Sequence, residues 1–140
     1  MTTVTDVMTR NVRTMAPGDT VAAAAKAMHE LNVGVIPVCE GDKLLGMVTD
    51  RDIVLRAVAE GRSFSDAISE VMTDEVQSCR ADDNLADAAA QMANHQLRRL
   101  IVTDEAGKMA GILSLGDIAV DYGNKVVGHT LEEISSDLGG

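Results

Sequence analysis

Apolar positions change their spacing along the chain in an order that then repeats. A short extended run, Val12 to Met15, is broken by Pro17-Gly18-Asp19, after which Val21, Ala24, Ala25, Met28 and Leu31 recur at helical spacing behind Thr20, a suitable N-cap. Two compact apolar runs follow, Val35 to Cys39 and Leu44 to Thr49, joined by Glu40-Gly41-Asp42. So short a link cannot carry a parallel crossover and predicts an antiparallel hairpin. A closing helix is predicted over Arg51 to Glu60.

Sliding the chain along itself by 64 residues superposes Val7-Met8-Thr9 on Val71-Met72-Thr73, Asp19 on Asp83, Ala25 on Ala89 and Met28 on Met92. One extra residue in the second hairpin turn makes the offset 65, which pairs Gly46 with Gly111, Thr49 with Ser114 and Asp52 with Asp117. The second copy therefore predicts an extended run at Val76 to Cys79, a helix from Leu85 behind Asn84, a hairpin of Leu100 to Thr103 and Met109 to Ser114, and a helix over Gly116 to Tyr122. Each copy reads strand, helix, strand, strand, helix. The division is repeat 1 at 1–62, repeat 2 at 63–123 and a polar tail at 124–140. Phe64 to Ile68 suggests one helical turn in the connector, and Thr130 to Glu133 a short capped helix in the tail. A unit of roughly 60 residues buries little surface alone, so two copies sharing a core is the physical expectation.

Composition narrows the function. Hydrophobic residues make up 46% and charged residues 24%, as in an ordinary globular protein, but with one Tyr and one Phe the core must be filled by aliphatic side chains and eight Met. Twelve Lys plus Arg against 22 Asp plus Glu give a net charge of −10, which argues against nucleic-acid or anionic-membrane partners. No apolar run approaches membrane-spanning length. Cys39 and Cys79 form no paired motif and no signal peptide precedes them, so free thiols in a reducing cytoplasm are expected. Walker A, Gly-x-Gly-x-x-Gly and His-Glu-x-x-His patterns are missing, and His29, His95 and His129 have no metal-ligand spacing. No nucleophile stands with a base, so catalysis is not expected.

The doubled unit, closing each time on Gly-apolar-apolar-Ser/Thr-x-x-Asp, resembles a pair of CBS domains, or Bateman module, over about Val4 to Tyr122. Asp6-Val7-Met8, Val35-Ile36-Pro37-Val38 and Val48 to Ile53 carry the resemblance further, towards stand-alone bacterial two-CBS proteins, some linked to hypoxia or stress responses. It implies an α+β fold: two β-α-β-β-α units about a pseudo-twofold axis, small mixed sheets packed against each other, and flanking helices. It also implies adenosine-containing ligands in the clefts between copies and association into a homodimer. The alternative is a structural dimer of the same fold that binds a protein partner and no nucleotide.

The repeated motif has chemistry suited to such a ligand. A carboxylate accepts from two neighbouring hydroxyls at once, and Asp52 and Asp117 are placed to do so for a ribose, with Thr49 and Ser114 adding a hydroxyl. The same residues could instead cap the closing helices, and the two roles are compatible. Gly46 and Gly111 admit a close approach of backbone or ligand, or a bulge. By the resemblance, basic residues before the second copy's hairpin reach phosphates. Arg98 and Arg99 occupy that place and would join Thr49 and Asp52 in the better-equipped cleft, the other being poorer in charge because Gly34 and Val35 stand at the matching positions. Arg51 carries less weight, and Val35 and Ile36 are candidates for the adenine wall. The expected ligand is AMP, ADP or ATP ahead of NAD or S-adenosylmethionine, with no cofactor required and no metal.

Overall fold

A computed structural model describes residues 2–127. The helix expected at Thr130 to Glu133, and His129, lie outside the described residues. In chain order the elements are α1 (Val4–Val7), α2 (Val21–Leu31), β1 (Val35–Glu40), β2 (Lys43–Thr49), α3 (Asp50–Asp52) continuing as a π-helical stretch over Ile53–Val58, a 3-10 turn (Ile68–Glu70), β3 (Ser78–Arg80), α4 (Leu85–His95), β4 (Arg99–Thr103), β5 (Met109–Ser114) and α5 (Leu115–Val127). The fold is α+β with one small sheet per unit. β1 and β2 pair antiparallel, whereas β3 runs parallel to β4 and β4 antiparallel to β5. No helix among the described residues is long and apolar enough to cross a membrane.

The caps form as their residue types dictate. Thr20 Oγ1 accepts from the Ala23 N–H at 3.1 Å, and the Asn84 side chain accepts from the Ala86 N–H at 2.9 Å. α2 and α4 stop at Asn32 and Gln96, both left-handed with φ 54°. The periodicity does not mark α1, because an element of four residues carries too little of it.

The first extended run differs from expectation. Val12 to Met15 forms no strand, and only Met15 bridges β1, through its N–H to Pro37 O at 3.0 Å and its carbonyl to the Cys39 N–H at 2.9 Å. Extending that parallel pairing towards Arg13 would need an N–H from Pro37, which proline lacks. The second unit has Ile101 there, and β3 forms.

Each unit is completed by the segment that precedes the other. Val4 N–H bonds Asp83 O, Thr5 N–H bonds Ala81 O, and Leu85 N–H bonds Thr2 O, at 2.9, 2.9 and 3.0 Å. Val4 is fully buried in the second core beside Leu85, Met92, Leu100 and Leu113. Conversely, Val21 N–H bonds Asp66 O at 2.9 Å and Ile68 N–H bonds Asp19 O at 2.8 Å. Ile68 and Val71 lie in the first core with Val21, Met28, Ile36 and Val48. The connector's helical turn thus forms at Ile68–Glu70, slightly later than Phe64 to Ile68.

The two motif glycines make this exchange sterically feasible. Thr73 and Met47 trade both backbone hydrogen bonds, at 2.8 and 2.9 Å, and Thr9 and Ile112 do the same at 2.8 and 3.0 Å. A Cβ on Gly46 would press into the Thr73 carbonyl oxygen, and one on Gly111 into that of Thr9. Close backbone approach is therefore realised at both glycines, and the register also shifts nearby, between Val38 and Cys39 and between Val102 and Thr103. Gly46→Ala or Gly111→Ala is expected to lower stability by about 1–3 kcal/mol, as overpacking does. Gly18→Ala, which meets nothing within 4 Å, serves as control. Urea unfolding reads the difference, and motif and control variants with the same midpoint would contradict the close approach.

Candidate functional site

Each motif Asp is first a helix cap. Asp52 N–H donates to Thr49 Oγ1 at 3.0 Å while Asp52 Oδ2 accepts from the Thr49 N–H at 3.0 Å. Ser114 and Asp117 repeat this reciprocal pair at 3.0 and 3.1 Å. Each carboxylate also receives a hydroxyl from a crossing segment: Thr73 Oγ1 lies 3.1 and 3.2 Å from the oxygens of Asp52, and Thr9 Oγ1 lies 3.3 and 3.2 Å from those of Asp117. Sequence reasoning aligned Thr9 with Thr73 but gave them no role. The signal was the repeated Val-Met-Thr, which nothing local explains.

The two carboxylates differ in access. Asp52 is 8% exposed, the buried charged residue among those described, whereas Asp117 is half-buried and carries a more open setting. A carboxylate has about four lone-pair sites. Asp117 therefore keeps acceptor capacity that solvent or a ligand can reach.

The larger cavity between the units, about 440 Å³, is at Asp117. Asn11 and Arg13 line it from the segment before Met15, Val35 and Ile36 from β1, Arg99 from β4, and Ile112, Ser114 and Asp117 from the second motif. Asn11 is left-handed, with φ 57°, and turns the chain into this wall. A second cavity of about 110 Å³ is lined by Met47, Glu75, Gln77 and Leu97, together with Val35, Arg99 and Ile112. By the repeat, Glu75 stands where the first has Asn11, and Gln77 where it has Arg13.

Of Thr49, Asp52, Arg98 and Arg99, expected together in the better-equipped cleft, Arg99 is the one that lines these two cavities. Arg99 lines both cavities, one of them with Ser114 and Asp117, whereas Thr49 and the 8% exposed Asp52 line neither. Arg98 is exposed and also lines neither. Arg51 is exposed beside Val54 and Leu55 in an open depression. Val35 and Ile36 are brought to Asp117, and Arg13 is a cavity residue that sequence reasoning missed.

Charge is distributed unevenly around these clefts. Arg13 and Arg99 make no hydrogen bond or ion pair among the described residues, although the chain has a net charge of −10. By contrast Arg56 donates to the carbonyls of Val71 and Met72, and Arg62 pairs with Glu70 at 3.0 Å. No three His, Cys, Asp or Glu side chains gather as a metal site among the described residues.

Both cysteines are buried and free. Burial, with Asp83 adding to it, pushes the Cys79 thiol up to about 11, and burial with Asp42 raises Cys39. The unfolded chain then loses its thiol protons first as pH rises past the ordinary value of 9.0. Stability carried by the protonated thiol is complete below that value and is lost as pH climbs towards about 11. The urea midpoint of the native chain should fall more steeply over this window than that of Cys79→Ala. Parallel pH profiles for the two would contradict the burial.

Comparison with known proteins fits this geometry. The family model described as CBS domain matches twice, at residues 4–58 and 68–128. The CBS domain-containing protein YhcV of Bacillus subtilis is 45% identical over 136 residues, covering 96% of each chain. Hypoxic response protein 1 of Mycobacterium tuberculosis is 36% identical over 121 residues, 85% of this chain and 84% of its own. Among solved structures, CBSX2 in complex with AMP superposes with a TM-score of 0.79 at 29% identity, covering 87% of this chain and 96% of its own. The CBS domain pair of MJ0100, in complex with 5′-methylthioadenosine and S-adenosyl-L-methionine, gives a TM-score of 0.76 at 27% identity, covering 89% and 98%.

Proposed function

The chain belongs to the CBS-domain family, and from that premise we propose that it is a regulatory, non-catalytic module that takes an adenosine-containing ligand between its two units. The observation that carries this reading is the cavity of about 440 Å³ at Asp117, within the range of about 300–1,000 Å³ usual for small-ligand sites. Its lining combines apolar β1 residues, Val35 and Ile36, suited to adenine, with the Asp117 carboxylate and Ser114 for ribose hydroxyls and Arg99 for phosphate. Thr49, Arg51 and Asp52 belong to the first motif, where a second ligand would need Asp52 to exchange its Thr73 bond, whereas Arg98 precedes β4, its carbonyl accepting from the Leu115 N–H at 2.9 Å. The ligands of CBSX2 and of the MJ0100 domain pair support the ligand class. Such a module acts by binding one shape of its cleft better than another and so shifting the population that a partner meets.

Calorimetric titration with AMP, ADP, ATP, NAD and S-adenosylmethionine is expected to find binding by at least one, weakened roughly 10- to 100-fold by Asp117→Ala through loss of charge-assisted bonds. Because that variant also loses a cap, at about 1 kcal/mol, its folding is checked by circular dichroism at the titration temperature. No heat from any of the five would sink the reading.

The same reading includes a cytoplasmic homodimer. Val54, Leu55 and Val58 are exposed on the helix after β2, and Leu115, Val120 and Tyr122 on α5, so the closing helices of both units present large apolar side chains to solvent. Light scattering should give twice the chain mass, and Leu55→Glu with Val120→Glu should return it to one. A single-chain mass for the unmodified protein at every concentration tested would contradict the dimer.

A further inference from the structure

The two cavities adjoin along a common wall of Val35, Arg99 and Ile112, and Arg99 is the one cation in that wall. On the Asp117 side it is joined by Arg13, which gives two unpaired guanidinium groups against one carboxylate already engaged by Ser114 and Thr9. On the Met47 side the residues equivalent to Asn11 and Arg13 are Glu75 and Gln77, so Arg99 meets a carboxylate and no second cation. An anion entering the first cavity finds net positive charge. One entering the second must approach Glu75 in a space about a quarter as large, about 110 Å³ against about 440 Å³.

We propose that Arg13 and Arg99 together make the Asp117 cavity the anion-accepting cleft of each chain, so that a phosphorylated adenosine ligand binds once per chain and the Glu75 cavity takes none. The proposal rests on the ligand-binding reading above and assigns to it the charge class, the stoichiometry and a specificity residue, Arg13. Arg99 cannot serve both cavities at once, because a guanidinium committed to a phosphate on one side is withdrawn from the other. Arg13 reaches the cavity because residues 11–13 are not taken into the sheet. Its free guanidinium sets the preference for a charged over an uncharged adenosine compound, while adenine and ribose contacts are left to the apolar wall and Asp117.

The test is calorimetry on the full chain with two probes, AMP and adenosine. AMP should bind with a stoichiometry of one per chain and more tightly than adenosine by roughly tenfold or more. Arg13→Ala and Arg99→Ala should each remove most of that advantage, weakening AMP by far more than adenosine. Both residues are exposed and unpaired, so the variants retain the fold. Two AMP per chain, equal affinity for the two probes, or an equal loss of adenosine binding in the arginine variants would overturn the proposal while leaving an adenosine site intact. Absence of binding by both probes would overturn this proposal, and the functional reading falls with it only when ADP, ATP, NAD and S-adenosylmethionine give no heat either.

Discussion

Two crossed hydrogen bonds organise the molecule: the Thr9 hydroxyl to Asp117 and the Thr73 hydroxyl to Asp52. Each ties the segment leading into one unit to the helix start of the other. Every bond of this kind is modest, about 1.5–3 kcal/mol when one partner is charged. Their importance is positional, because each crossing must pass over a strand at a glycine and bury the residues beside it. Val4 in the second core and Ile68 and Val71 in the first are the hydrophobic side of the same exchange. A unit deprived of the other's leading segment would expose those contacts and leave a motif carboxylate without its hydroxyl.

The exchange also shapes the cavity. Thr9 is pinned to Ile112, Asn11 turns the chain through a left-handed residue, and Pro37 refuses the next rung of the sheet. Residues 11–13 are thereby held at the inter-unit space without being absorbed into a strand. In the second unit the chain runs on into β3, and the adjoining cavity is the smaller of the two. Equivalent motifs thus stand beside unequal clefts, which differ in the proline at position 37 against Ile101 and in the charges at two pairs of equivalent positions.

Most of the fold was legible because its signals are periodic or duplicated. The helical spacing from Val21, the Asn84 cap, both hairpins and the paired Gly-to-Asp motifs could each be checked against a second copy. The site was less legible. Which cleft Arg99 joins depends on how two units meet, and no spacing within either unit encodes that. Arg13 sits in a run whose pattern reads as a strand, and only Pro37, remote in sequence, reveals that the run stays free. Asp52 and Asp117 look equivalent in sequence and each takes a threonine hydroxyl from a crossing segment, yet Asp52 is buried and Asp117 is half-buried, a difference that neither motif encodes.

The account stands on an adenosine ligand occupying the cavity at Asp117. Amide shift mapping by NMR during an AMP titration tests it most directly. The predicted result is perturbation concentrated at residues 11–13, 31–36 and 112–117, which line that cavity or adjoin its lining. Perturbations confined to the exposed apolar faces of the closing helices, or no perturbation at saturating AMP, would contradict it.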